Sequence, residues 1–316
     1  MSKWIKKDLF DDYVKKKEQE QEKGESTSFL KRSDIVWPNP TAGSTTQPEV
    51  YEGRFLPDPN GEFTLKYFYH MWKTDKWNYV FCEKTHDINN YCPVCSLVNK
   101  LYAGTSKDKA LASMIKRKTR HVGNFYIVSD KRDLKVTDEA EMNEGKVKLY
   151  EFPDKVDAKI KLQLLDKKEG LGADIFDPGE DGYNFILRIK STKPDGSGRT
   201  YPDYSDSDFS RKPSVLGNDK MINQIMNNRY DIKEYVNSLT TPRDRIIAIL
   251  ESEMLYDLVK DEWSKVDKSI NEDNSKDIDT DDDVKSKSND EDDVPIEVED
   301  DSDDDLLKEL ESIVNN

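Results

Sequence analysis

The apolar positions along this chain change period twice, and each change predicts a different kind of element. From Tyr51 to about Ser191 the pattern is mostly that of strands. Phe63 to His70 is dense in β-formers, Lys73-Thr74-Asp75-Lys76 suits a hairpin turn, and Trp77 to Phe81 reads as the return strand. Asn124 to Val128 and Val147 to Phe152 are further strands. Tyr183 to Lys190 alternates cleanly, with Phe185, Leu187 and Ile189 on one face and Ile186, Arg188 and Lys190 on the other. Between 219 and 263 the spacing becomes helical, through Met221, Ile222, Ile225 and Met226 and then Ile246, Ile249, Leu250, Met254 and Leu258, with Pro242 separating two helices.

The flanks follow neither period. Residues 1–23 read as a charged helix with Trp4, Ile5, Leu9, Phe10 and Tyr13 as apolar contacts, and its Lys3, Lys6, Lys7 and Lys15-Lys16-Lys17 make a basic arm. Residues 24–50, with Pro38, Pro40, Gly43 and Pro48, read as a linker. Residues 264–316 are low-complexity acid, expected to be disordered, and end in a short amphipathic helix whose apolar stripe is Leu306, Leu307, Leu310, Ile313 and Val314. The expected architecture is therefore α+β: a core over 51–263 with flanking helices, between a helical arm and a disordered acidic tail.

Charge sharpens this division. The 316 residues carry a net charge of −16, but 264–316 hold 21 acidic and 6 basic residues, leaving 44 acidic and 43 basic for the rest. The body is neutral and can carry a basic face, while the tail suits a docking peptide that competes with an anionic partner for that face. Three cysteines are an odd number for a disulfide framework and fit a reducing compartment. Met1 to Lys7 lacks the apolar core of a signal peptide, and no stretch approaches the ~18 apolar residues of a membrane span, so no membrane partner is expected.

All three cysteines fall between Cys82 and Cys95, in the order Cys82…Cys92-Pro93-Val94-Cys95, with His70 upstream. Three thiolates and an imidazole complete a tetrahedral zinc site with no open position, which is structural chemistry. His86 competes with His70 for the fourth place. His70 is preferred because its hairpin returns to Cys82. The ion should staple a small subdomain, about 63–105. A second constellation is Ile115-Lys116-Arg117-Lys118-Thr119-Arg120-His121, four cations in five residues. Arg188 and Lys190 add to it. The aromatics Trp77, Tyr79, Tyr150, Tyr201 and Tyr204 lie close to basic positions. Cations neutralise phosphates and flat rings stack on unpaired bases, the chemistry of a single-strand groove. A zinc-stabilised protein–protein adaptor is the alternative. A zinc hydrolase or deaminase fits less well: the latter needs His-x-Glu ahead of Pro-Cys-x-x-Cys, and the order here is Cys-Pro-x-Cys.

Together, His70…Trp77…Cys82…His86…Cys92-Pro93-Val94-Cys95, Ile115 to Thr119, Glu144-Gly145-Lys146-Val147…Tyr150, Asn184 to Lys190 and Tyr201…Tyr204…Phe209 resemble the T-even-type bacteriophage single-stranded DNA-binding (helix-destabilising) proteins. The resemblance implies an OB-fold-like β-barrel with an inserted zinc subdomain and a non-catalytic protein coating single strands in phage replication, recombination and repair. It implies phosphate contacts from Lys116, Arg117, Lys118, Arg188 and Lys190, and base contacts from Trp77, Tyr79, Tyr150, Tyr201 and Tyr204. It further implies self-association through the N-terminal arm, recruitment of replication and recombination proteins by the acidic tail, and residence in the cytoplasm of an infected bacterial host. Asn78, Asn89, Ala112, His121 and Val122 stand where that family has aromatics, which implies fewer stacking contacts.

Overall fold

The computed structural model describes residues 32–73, 76–194 and 200–273, with side chains placed over 34–73, 76–194 and 200–266. The arm over 1–23, most of the acidic tail and its terminal helix lie outside the described residues. The chain divides into two compact units, 1–255 and 256–316.

In the first unit a short helix α1 (Arg32–Ile35) precedes β1 (Glu49–Leu56), β2 (Leu65–Lys73) and β3 (Trp77–Phe81). Helices α2 (Pro93–Tyr102) and α3 (Ser106–Ile115) lead into the long strand β4 (Arg117–Asp130). Then come β5 (Val147–Phe152), α4 (Asp154–Leu165), β6 (Phe185–Ser191) and two short strands, β7 (Pro202–Asp203) and β8 (Asp208–Phe209). Three helices follow: α5 (Asp219–Asn227), α6 (Ile232–Ser238) and α7 (Arg243–Ser252). The named strands pair antiparallel in the order β3-β2-β4-β1-β6-β7, with β5 on β4 and β8 on β6. In the second unit α8 (Lys260–Asp273) is described, and it runs on past position 264, where the tail was expected to begin.

The elements follow from local chemistry. Lys73 pairs with Trp77, so the hairpin turns where the sequence places it. β6 shows the predicted alternation, burying Phe185, Leu187 and Ile189. Pro93 starts α2 at its first turn, where a missing N–H costs nothing. Thr105 and Asp108 close a reciprocal capping box on α3. Asn218 and Asp231 cap α5 and α6. The helical region thus holds three helices where two were expected, because these caps break it before Pro242.

Two packed layers meet on the sheet. One face buries an aromatic cluster, in which Phe125 lies 5.4 Å from Trp37 and 4.9 Å from Phe55, closed by Val156 and Ile160 of α4. The other face, with Tyr67, Tyr69, Val122 and Leu149, is covered by Ile232, Tyr235, Val236 and Leu239. Gly53 lies at a register shift between β1 and β4, where a Cβ would meet the Phe125 ring at 2.2 Å, so the strands can approach there only without a side chain.

The described part of the expected linker is instead a strap on the core. Trp37 is 1% exposed, its backbone N–H donates to the Leu149 carbonyl, and its indole N–H donates to Asp130 at 2.9 Å. Gly43 N–H donates to the Ile189 carbonyl. One buried tryptophan is enough to fasten a segment whose proline-rich, aperiodic composition reads as loop. Asp130 is itself buried and also accepts from Arg132 and Asn143. Burial opposes its charge, but the bonds from Arg132 and Trp37 outweigh it and hold the carboxyl below its ordinary value. A folded value below the unfolded one (~3.9) means stability present above that pH and lost as pH falls through the folded value. Asp130→Asn is therefore expected to cost about 1–2 kcal/mol at neutral pH. In urea unfolding, the gap to the parent should narrow as pH falls below the ordinary carboxylate value; a gap independent of pH would refute the charge's role.

Candidate functional site

The His/Cys set assembles from the β2–β3 hairpin and the start of α2. His70 lies on β2, Cys82 follows β3, Cys92 caps α2, and Cys95 sits in its first turn. One donor atom from each lies within 4.8 Å of the others. His70 Nε2 is 3.5 Å from both Cys92 Sγ and Cys95 Sγ, and Cys82 Sγ is 3.6 Å from Cys95 Sγ. Tetrahedral bonds of about 2.3 Å to sulfur and about 2.0 Å to nitrogen give donor–donor edges of about 3.5–3.8 Å, so the spacing is that of a metal cage. A disulfide would need about 2.05 Å, and the cysteines are free thiols.

The next layer orients the ring. His70 Nδ1–H donates to the Ile115 carbonyl at 2.9 Å, which leaves the Nε2 lone pair facing the thiols. The three sulfurs are close enough to bias one another's protonation, and a metal ion would bind them as thiolates. Hydrogen bonds from Cys82 and then Cys95 pull the Cys92 thiol strongly down, while Cys82 is pushed up to about 12 and Cys95 upward as well. The group can hold a metal ion. His86 is exposed and outside this set, and His121 is occupied elsewhere, with Nε2 2.6 Å from Asp154 and Nδ1 3.3 Å from Asp157. The lobe extends beyond residue 105, because α3 packs on α2 and delivers the Ile115 carbonyl.

That carbonyl opens the basic run. The strand expected from Asn124 begins at Arg117, so most of the run is strand. Tyr69 pairs with Lys118 and Tyr67 with Arg120, which puts these four side chains on one sheet face. Burial, then the charges of Lys116 and Arg120, hold Lys118 below the ordinary lysine value. Arg117 points to the opposite face and lies 4.3 Å over the Phe68 ring. β5 pairs with β4 only as far as His121, so among the described residues no strand runs along the second edge of 117–120.

The aromatics divide. Trp77 is 63% exposed and Tyr201 51% exposed, and the Lys73 ammonium lies 5.8 Å from the Trp77 ring. Tyr204 is half-buried beside the aromatic core. Tyr79 is half-buried and stacked on Tyr69 at 5.0 Å, as part of the packing under α6. Tyr150 does not face solvent: it is 1% exposed and enclosed by Trp37, Phe55, Phe125 and Phe152, so its ring is core, since β5 turns that side chain inward. Arg188 and Lys190 fasten the segment carrying Tyr204, through the Asp206 carbonyl at 3.2 Å and an ion pair with the Asp206 carboxylate.

Arg120 was in the run but not singled out by sequence reasoning. Its position two residues from Lys118 was the available signal, legible once the segment is read as strand. Among the described residues no helix is long and apolar enough to cross a membrane. A family model described as gp32 DNA binding protein like matches residues 53–249, more than half of the chain. No curated protein matches it.

Proposed function

The chain belongs to the gp32 DNA-binding protein-like family, and on that premise we propose that it is a non-catalytic protein that coats single-stranded DNA without reading its sequence. The observation that carries this is the strand register that sets Lys118 and Arg120 beside Tyr69 and Tyr67 on one sheet face, where burial and then the neighbouring charges hold Lys118 below the ordinary lysine value. The repulsion among these cations is relieved by an anionic polymer. Trp77 and Tyr201 offer ring faces for bases, each worth ~1–3 kcal/mol in such grooves. Lys116, Arg117 and Lys118 supply phosphate contacts, while Arg188 and Lys190 position the loop that carries Tyr201 and Tyr204.

In the same reading the ion is zinc, held by His70, Cys82, Cys92 and Cys95. It supplies a structural crosslink that fixes the Trp77 hairpin against the start of the basic run. The domain is an OB-fold with this lobe inserted. The arm over 1–23 promotes self-association along the strand, and the acidic tail recruits replication and recombination proteins, in the cytoplasm of a phage-infected host. These last assignments rest on sequence.

Salt titration tests the reading. With oligo-dT, log K should fall linearly with log salt at about −0.7 per phosphate neutralised. Lys116→Gln with Lys118→Gln should flatten the slope by about 1.4. No oligo-dT binding at low salt would defeat the assignment.

A further inference from the structure

Phe68 reads in the sequence only as a strand former, yet two cations reach its ring. It stands on β2 opposite Thr119 of β4, with Arg117 on the diagonal and Lys66 two residues away on the same sheet face. The Arg117 guanidinium lies over the ring at 4.3 Å from its centroid, and the Lys66 ammonium at 5.6 Å. Both are within the ~6 Å over which a ring face attracts a cation.

The ring's own place is fixed through its backbone. The Phe68 N–H donates to Thr85 Oγ1 at 2.8 Å, and the Phe68 carbonyl accepts from the Cys82 N–H at 3.0 Å and from the Thr85 hydroxyl at 3.2 Å. Phe68 is half-buried, whereas Arg117 and Lys66 are exposed. Among the described residues no carboxylate pairs with Arg117. An exposed arginine ordinarily samples many rotamers, and ordering it on a ligand costs entropy. A ring beneath the guanidinium removes part of that cost in advance. It leaves the in-plane N–H donors free for an anion, because a π face takes none of them.

We propose that Phe68 is a positioning residue for nucleic-acid binding: it holds the Arg117 guanidinium in place, so that Arg117 grips one phosphate of the bound strand through a forked contact. This rests on the single-strand reading above and deepens it. Arg117 projects from the sheet face opposite Lys118 and Arg120, and β5 stops opposite His121, which leaves the edge of 117–120 between those faces without a strand among the described residues. The phosphate held by Arg117 is therefore a different one from that met by Lys118, and the nucleic acid passes over this edge between them. Lys66 adds a second charge beside the same ring.

The test is oligo-dT binding across a salt series by the full chain and by variants at 68 and 117. Arg117→Gln is expected to weaken binding about tenfold at low salt and to flatten the log–log slope by about 0.7. Phe68→Leu keeps every charge and an apolar side chain but loses the π face, so the slope should stay while affinity falls about threefold. Phe68→Tyr keeps the ring and should bind as the parent does. In a double-mutant cycle, Phe68→Leu should cost nothing further in the Arg117→Gln background. A merely structural role for Phe68 predicts additive losses instead. Additive losses, parent-like affinity in Phe68→Leu, or a Phe68→Tyr variant as weak as Phe68→Leu each overturn the positioning role and leave the single-strand reading intact. A parent protein that ignores oligo-dT at low salt overturns both.

Discussion

On the zinc assignment proposed above, replacing Cys92 with serine is expected to abolish metal binding and to cost on the order of 3–5 kcal/mol of stability. Cys92 is one of the two sulfurs that face His70 Nε2 at 3.5 Å, and it caps the helix that carries the other, Cys95. A serine oxygen at that place neither ionises at neutral pH nor matches the preference of zinc for thiolate in such sets. The surrounding core is small. Val94, Leu97, Val98 and Leu101 of α2, with Ala112 and Ile115 of α3 and Trp72 and Val80 of the hairpin, are buried apolar residues of this lobe. A lobe of that size depends on its ion. Elemental analysis should find well under one zinc per chain in Cys92→Ser and a full equivalent in His86→Ala, with a large drop in unfolding temperature only in the first. One equivalent of zinc retained by Cys92→Ser would refute the ligand set.

Arg54→Met is expected to be the most damaging change remote from the metal, at about 3–5 kcal/mol. Arg54 is 0% exposed, an extreme for arginine. Its Nε donates to Asn184 Oδ1 at 2.9 Å, one terminal nitrogen to the Asp177 carbonyl, and the other to the Ser214 carbonyl at 2.7 Å. Burial lowers its pKa to about 10, which still leaves it charged at neutral pH. Methionine fills similar volume but orphans two buried acceptors, the Asn184 Oδ1 and the Asp177 carbonyl, each costing ~1–3 kcal/mol. The approach is so close that a Cβ on Gly182 would lie 1.9 Å from the guanidinium. Urea unfolding should show a lower midpoint at unchanged slope; a loss below about 1 kcal/mol would mean that the loops around 177–184 and 214 hold themselves in place.

Much of this was legible in the sequence, and the failures have physical reasons. β6 was readable because only one of its faces is deeply buried, so alternation survives. The hairpin of β2 and β3 was readable from its turn and its β-formers. The metal set was readable because cysteine is scarce here and clustered, and the choice of His70 needed only the hairpin. By contrast, α2, α3 and α4 fell inside a region read as strands. Their apolar faces are short, and the signals present were caps, Pro93 and Thr105 with Asp108, not periodicity. The start of β4 was hidden because a run of cations carries no apolar alternation to mark a strand. Tyr150 illustrates the other limit: sequence proximity to lysines does not say which side of a strand a ring occupies, and the pleat turned this one inward. Trp37 was missed because one aromatic among prolines carries no pattern, although it fastens the whole strap.

The bond from His70 to the Ile115 carbonyl has a wider consequence. It spans from the thiolate cage to the residue just before Lys116, so the two places share one hinge point in the backbone. Binding free energies coupled through such a joint are reciprocal. Whatever the ion contributes to gripping a nucleic acid, the nucleic acid returns by retaining the ion, and the coated protein should therefore be the form most resistant to metal starvation.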